Sequence, residues 1–262
     1  IRMPTVQVIT SICDKAADII KEVADISTSY GDVILTGLRP VNTNRTVFCP
    51  CTGVDHIKAP KIIHLDEEWK KTEGRKITST AEHTWSLLLS SAKLNRMQIS
   101  QKNIGIIGYG RIGRIVSRYA GAFGMNQFVY DPYFCEDYSE YTLYKLLKNA
   151  DIVTIHIPLN EETKGLIGER EFNQMKPGAL LINTSRADIV NTDALHKALD
   201  STLGAYANDF NVLAGHPKVI ATPHIAGNSK EAREATDVYI AKKIVEYFKN
   251  KEKMPHEHED NS

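Results

Sequence analysis

A chain of 262 residues is long for one domain and sufficient for two compact lobes. Lys plus Arg and Asp plus Glu balance at 32 each, which excludes a global field that would draw the chain to nucleic acid or to an anionic membrane. No apolar run reaches the roughly 18 residues that cross a bilayer, and the first residues, Ile1-Arg-Met-Pro-Thr-Val, lack the basic start and apolar stretch of a secretory signal. Cys13, Cys49, Cys51 and Cys135 have no zinc-like spacing, so a cytoplasmic protein with reduced thiols and no metal is expected. His256 and His258 form a close histidine pair, in a tail (Lys249 to Ser262) nearly devoid of large apolar residues and read as solvated.

Apolar runs and helical patterns alternate, the signature of an α/β fold with mainly parallel sheets. Strands are predicted at Val6–Thr10, Val33–Thr36, Thr46–Cys49 and Ile62–Leu65, with an amphipathic helix over Asp14–Val23. Glu67–Glu73 is so charged that it reads as a solvated turn or helix without a role. Thr80–Lys93 reads as a long helix, apolar on more than one side, that needs wide cover from both lobes or from a second subunit.

The next segment is the most informative. Ile104–Ile107 is a short buried strand, Gly108-Tyr-Gly-Arg-Ile-Gly113 a tight turn, and Arg111–Phe123 a helix. In such a turn Gly108 permits the sharp reversal, Gly110 lets backbone approach a pyrophosphate, and Gly113 lets helix and strand pack closely. The helix N-terminus supplies N–H groups and a favourable dipole for the phosphates. A strand over Phe128–Tyr130 then ends in Asp131, an acid placed to accept hydrogen bonds from a ribose and to repel a 2′-phosphate, which favours NAD over NADP.

Further strands are predicted at Ile152–His156, Ala179–Asn183, Gly204–Asn208 and Val219–Ala221, with helices at Leu143–Lys148, Glu169–Gln174 and Asp193–Leu199. Six strands are the count expected of a dinucleotide fold. A last helix, Lys230–Phe248, led by Asn228 or Ser229 as cap, returns to the first lobe. The expected fold is therefore α/β: a Rossmann-type doubly wound parallel sheet over residues 93–228, plus a second, discontinuous flavodoxin-like lobe over 1–92 and 229–262.

Three later segments add chemistry. Asp151-Ile-Val-Thr-Ile-His-Ile-Pro-Leu159 runs a buried strand into His156 and Pro158, at a carboxyl end where cofactors lie. Leu181-Ile-Asn-Thr-Ser-Arg186 puts Arg186 just past a strand, where a guanidinium suits a carboxylate beside a carbonyl. Thr222-Pro-His-Ile-Ala-Gly227 places His224 in a loop after another strand, where an imidazole can give a proton to an oxygen and take it back.

With Thr52-Gly-Val-Asp-His56 and Ala81-Glu-His-Thr-Trp-Ser-Leu-Leu-Leu89, these segments make a chain that resembles the D-isomer-specific 2-hydroxyacid dehydrogenases along nearly its whole length. The resemblance implies an NAD-dependent enzyme interconverting a 2-oxo acid and its D-2-hydroxy acid, with Arg186 binding the 2-oxo acid and His224 as acid/base. It implies that Arg111 and Ile112 touch the pyrophosphate and Asp131 the ribose. His156, Pro158, Thr184, Ser185 and Asp209 would line the cofactor, with Ala226 and Gly227 closing the pocket. The loop Cys51-Thr52-Gly53 would hold the substrate carboxylate, joined by Arg39. A cleft that closes over substrate and a homodimer through Thr80–Lys93 are implied too, whereas His56 and His83 are taken as structural.

The chain departs from the family pattern in one informative place. A glutamate that pairs with the catalytic histidine is missing, because no Asp or Glu lies between Asp209 and His224. Without a carboxylate on its far nitrogen His224 would titrate lower, unless Asp209 or another acid takes that place. Connections at Leu94–Lys102, Arg39–Thr46 and Asp200–Gly204 are also short. The alternative reading is an NAD-binding regulatory or scaffold protein with weak or no turnover.

Overall fold

The computed structural model describes residues 2–133 and 140–253. The expectations for Cys135, His256 and His258 lie outside them. In chain order come β1 (Thr5–Val8), α1 (Asp14–Lys21), β2 (Asp25–Ser27), β3 (Val33–Leu35), β4 (Val41–Asn42), β5 (Val47–Cys49), β6 (Ile57–Lys58), β7 (Ile62–His64) and α2 (Glu67–Lys71). Then follow α3 (Ser79–Leu94), β8 (Asn103–Ile107), α4 (Arg111–Ala122), β9 (Asn126–Tyr130), α5 (Glu140–Asn149), β10 (Ile152–Ile155) and α6 (Glu169–Phe172). The rest is β11 (Leu180–Asn183), α7 (Thr192–Ser201), β12 (Ala205–Asn208), β13 (Val219–Ala221) and α8 (Lys230–Lys253). These elements gather into two units, one of residues up to Ile77 with those from Lys230 onward, the other Thr78–Ser229.

The first unit is built on a five-stranded parallel sheet in the order β2-β1-β3-β5-β7. Counted along its own strands this is the 2-1-3-4-5 order of flavodoxin-like sheets. Alternate residues face opposite ways. Val6, Val33, Leu35 and Phe48 meet Ile20 of α1 and Ile240, Ile244 and Phe248 of α8, whereas Ile34, Val47 and Cys49 face a smaller cluster with Ile57. The segment read as solvated, Glu67–Glu73, has a structural role. Asp66 caps α2 by accepting the Trp69 N–H at 2.9 Å, and Trp69 is 1% exposed within the core. Its charges hide one large anchor.

The second unit carries a six-stranded, all-parallel sheet in the order β13-β12-β11-β10-β8-β9. Strand period 2 again sorts the residues. Ile104, Ile106, Ile152, Leu180, Ile182, Ala205 and Ala207 face one core, while Ile107, Val153, Ile155, Leu181 and Tyr206 face the other. Strand order reverses between β8 and β10, so the topological switch point lies beside the glycine turn. Among the described residues, only β9 lies beyond β8 on its side. The compact unit begins at Thr78, ahead of the boundary after residue 92 drawn from sequence. The reason is α3, which buries Ala81, Trp85, Leu88 and Ala92 in the same core as Ile104, Ile182 and Ala207.

Candidate functional site

Because every strand of the second unit runs the same way, the loops after β8 to β13 lie along one edge of the sheet. That edge collects Gly108, Asp131, His156, Arg186, Asp209 and His224, residues spread over more than a hundred positions of sequence.

The glycine turn is shaped by what each position excludes. Gly108 has φ +95°, and a Cβ there would lie 2.7 Å from the His156 carbonyl. A Cβ at Gly113 would lie 2.0 Å from the Gly108 carbonyl oxygen, so helix and turn could not meet. At Gly110, the N-cap of α4, a Cβ would meet nothing within 4 Å, and the first turn of α4 has no acid. Open space at the N-terminus of a helix, the positive end of its dipole, fits a dinucleotide pyrophosphate. Arg111 and Ile112 are the first two helical residues, and burial pulls the Arg111 guanidinium below its ordinary range. Asp131, just past β9, accepts the Tyr109 N–H at 2.6 Å and the Tyr133 N–H at 2.8 Å. A carboxylate offers about four acceptor sites, so two remain for ribose hydroxyls.

His156, past β10, bonds Thr154 Oγ1 through Nε2 at 2.8 Å, and burial drives its pKa down to about 3. It stays neutral and serves the wall of the edge. Pro158 is exposed, its carbonyl accepting from the Thr163 hydroxyl at 2.7 Å.

After β11 and β12, two buried asparagines paired across the sheet, Asn183 and Asn208, shape the turns. Asn183 accepts the Ser185 N–H at 3.0 Å and donates to the Arg186 carbonyl at 2.8 Å. Asn208 accepts from the N–H groups of Phe210 and Val212 and donates to the Val212 carbonyl. Ser185 donates its hydroxyl to the Ile157 carbonyl, which joins the Arg186 turn to the loop after β10. Arg186 is half-buried and donates from Nη1 to the Ser185 carbonyl at 2.9 Å. Buried Thr184 meets Thr84 of α3, Oγ1 to Oγ1, at 2.8 Å.

His224 is exposed and holds φ +57°, with its ring 5.4 Å from that of Phe210 in edge contact. The left-handed region costs a non-glycine residue about 1–2 kcal/mol, so surrounding bonds must impose it. Asp209 supplies them. Wholly buried, it accepts the Thr222 hydroxyl at 2.6 Å and the Ile225 N–H at 2.9 Å on Oδ1, and the Ala226 N–H at 2.8 Å on Oδ2. Ala226 is buried and Gly227 exposed. The acid considered as a partner for the imidazole thus anchors the backbone of its loop. His83, set aside as structural, lies in this cluster, with Nε2 2.9 Å from Thr222 Oγ1 and 3.6 Å from Asp209 Oδ1. The signal for it was its place in Ala81-Glu-His-Thr84.

In the first unit, exposed Arg39 follows β3, with its carbonyl accepting the Thr36 hydroxyl at 3.2 Å. Cys51, Thr52 and Gly53 form the turn after β5, where the Cys51 carbonyl accepts the Leu65 N–H at 3.3 Å. His56 contacts the Gly37 carbonyl through Nε2 at 2.8 Å and ties these two turns together.

The sequence pattern of the D-isomer specific 2-hydroxyacid dehydrogenase NAD-binding domain matches residues 71–226. The chain belongs to that family. Its NAD-binding domain is the unit that carries the glycine turn. A D-3-phosphoglycerate dehydrogenase of Bacillus subtilis is 34% identical over 204 residues, 65% of this chain and 39% of the relative. A glyoxylate reductase of Thermococcus litoralis is 38% identical over 164 residues, 56% of this chain and 49% of the relative. The chain thus spans about half or less of the length of these family members. In fold it resembles a D-lactate dehydrogenase from Aquifex aeolicus solved with NAD and lactic acid, at TM-score 0.77 and 23% identity, covering 94% of this chain and 96% of that one. A 3-phosphoglycerate dehydrogenase of Entamoeba histolytica with NAD+ bound superposes at TM-score 0.76 and 19% identity, covering 100% and 99%.

Proposed function

We propose that the protein is an NAD-dependent oxidoreductase interconverting a 2-oxo acid and its D-2-hydroxy acid. One observation carries this reading: the glycine turn, Asp131, Arg186 and His224 follow the carboxyl ends of strands in a single parallel sheet. Bound NAD supplies hydride acceptance and donation. Gly110 and the N-terminus of α4 hold its pyrophosphate, Asp131 its ribose, and the loops at His156, Pro158, Thr184, Ser185 and Asp209 line its remainder. Arg186 grips the 2-oxo acid with its planar fork and draws electron density from the carbonyl. His224 delivers a proton to the carbonyl oxygen during reduction and recovers it from the hydroxyl in reverse. Arg39 and the N–H groups of Cys51–Gly53 are assigned to the substrate carboxylate.

Exposed Leu89 and Leu94 on α3, 40% and 72% accessible, support a homodimer through this helix. The thiols of Cys13, Cys49 and Cys51 support a reducing, cytoplasmic setting. Among the described residues, no helix is long and apolar enough to cross a membrane.

The test is NADH oxidation with glyoxylate, pyruvate, hydroxypyruvate and longer 2-oxo acids. Turnover with at least one is expected. His224→Ala should lower kcat about a hundredfold to ten-thousandfold and leave NADH affinity nearly unchanged. Binding of NADH with no turnover across the panel would replace this reading with that of an NAD-binding regulatory protein.

A further inference from the structure

Two consecutive side chains of α3 reach two different loops of the sheet edge. His83 touches Thr222, ahead of His224, and Thr84 touches Thr184, two residues before Arg186. Successive residues on a helix point about 100° apart, which lets one turn address both loops. We propose that His83 and Thr84 are positioning residues, fastening the His224 loop and the Arg186 turn to one rigid helix so that the two groups keep a fixed separation. This rests on the reaction assigned above, in which one substrate must meet both.

The single proton on each hydroxyl sets the direction of the bonds. Asp209 as a carboxylate only accepts, so the 2.6 Å contact takes the proton of Thr222 Oγ1. The 2.9 Å bond from His83 Nε2 therefore runs from imidazole N–H to hydroxyl oxygen. His83 carries its proton on Nε2, and the Asp209 carboxylate 3.6 Å away favours that tautomer. The chain of donation is His83 to Thr222 to Asp209, and Asp209 in turn holds the Ile225 and Ala226 N–H groups.

The second arm is ordered in the same way. Thr84 donates to the Thr80 carbonyl at 2.8 Å, which leaves its oxygen to accept from Thr184. Thr184 precedes the turn that Asn183 closes around Ser185 and Arg186. Thr84, Thr184 and Asp209 are buried, so a partner removed from either arm leaves a polar group unsatisfied away from water. Asp209 and His83 thus hold the backbone that carries the His224 ring.

The test compares His83→Ala and Thr84→Val with the conservative His83→Gln and Thr84→Ser in the full chain. Reduction of the best 2-oxo acid by NADH should lose about tenfold to a hundredfold in kcat in each of the first pair, with NADH affinity held. His83→Gln, whose amide N–H can replace Nε2–H, and Thr84→Ser should restore most of it. Amide hydrogen exchange should accelerate about tenfold or more at Ile225 and Ala226 in His83→Ala, and at Ser185 in Thr84→Val. Unchanged kcat and exchange would overturn the proposal. So would a loss of NADH affinity parallel to that of kcat, with no rescue by the conservative pair. A parent that binds NADH yet reduces no 2-oxo acid would overturn the assigned reaction instead. Exchange alone would then decide the fastening, with faster exchange supporting it and unchanged exchange refuting it.

Discussion

Each unit has a strand that feeds the helix after it, β1 into α1 and β8 into α4, and the two helix N-termini are filled in opposite ways. At α1 the N-cap Cys13 donates its N–H to the buried Asp237 of α8 at 3.0 Å, and Asp14 adds a second acid in the first turn. At α4 the N-cap is Gly110, facing open space, with no acid in the first turn. Both are ends of positive dipole. One has acids of the protein at it, whereas the other is the end proposed above to hold the pyrophosphate. Parallel sheet architecture alone therefore does not make an anion site. What occupies the first turn of the helix does.

The largest effect expected from breaking this contrast is at Gly113. Gly113→Ala forces a methyl onto the Gly108 carbonyl and should destabilise the second unit by about 3 kcal/mol or more. The chain holds two tryptophans, Trp69 in the first unit and Trp85 in the second. A Trp69→Phe background therefore reports the loss by Trp85 fluorescence during denaturation, and an unchanged midpoint would refute the packing role. Next comes Gly110→Asp, which gives α4 the acidic character of α1. Aspartate is a favoured N-cap, so stability should hold, while NADH affinity falls about a hundredfold from repulsion of the pyrophosphate. Calorimetric titration showing unaltered affinity would remove the phosphates from this helix end.

The smallest effect lies at α1. Asp237→Ala removes the acceptor of the Cys13 N–H and should cost about 1–2 kcal/mol, whereas Asp237→Asn keeps an acceptor and should cost less. Burial raises the Asp237 carboxyl above its ordinary value, so the native state holds this proton more tightly than the unfolded chain. The stability it adds is complete below pH 3.8 and is lost as pH rises through the raised value. Urea titrations of parent and Asp237→Asn across that interval should diverge with rising pH, the parent losing ground. Parallel curves would show that the carboxyl is not perturbed.

Much of this was legible in the residues. The apolar runs at Ile104–Ile107, Ile152–Ile155 and Leu180–Asn183 became central strands because a fully buried parallel strand is apolar on both faces. The edge strand β2, Asp-Ile-Ser, has no such run, and neither does the two-residue pair β4 and β6, so none of them carries a signal in the sequence. Trp69 was hidden because one buried residue in a single charged turn leaves no periodicity to detect. Arg186 and His224 could be singled out because each sits just past a strand. The roles of His83 and Asp209 could not be, since they depend on contacts between α3 and a loop 139 residues further on.

What the sequence determined by itself is local: where backbone must turn without a side chain, where strands are buried on both faces, and where an acid ends β9. These follow from sterics and hydrophobicity over a few neighbouring residues. Only the tertiary structure decided among the histidines, making His156 a neutral wall, His56 a tie between turns and His83 a donor to the His224 loop. An imidazole's role is set by which oxygen lies within 3 Å of its nitrogens, and that distance is a property of packed strands and helices, not of neighbours in the chain.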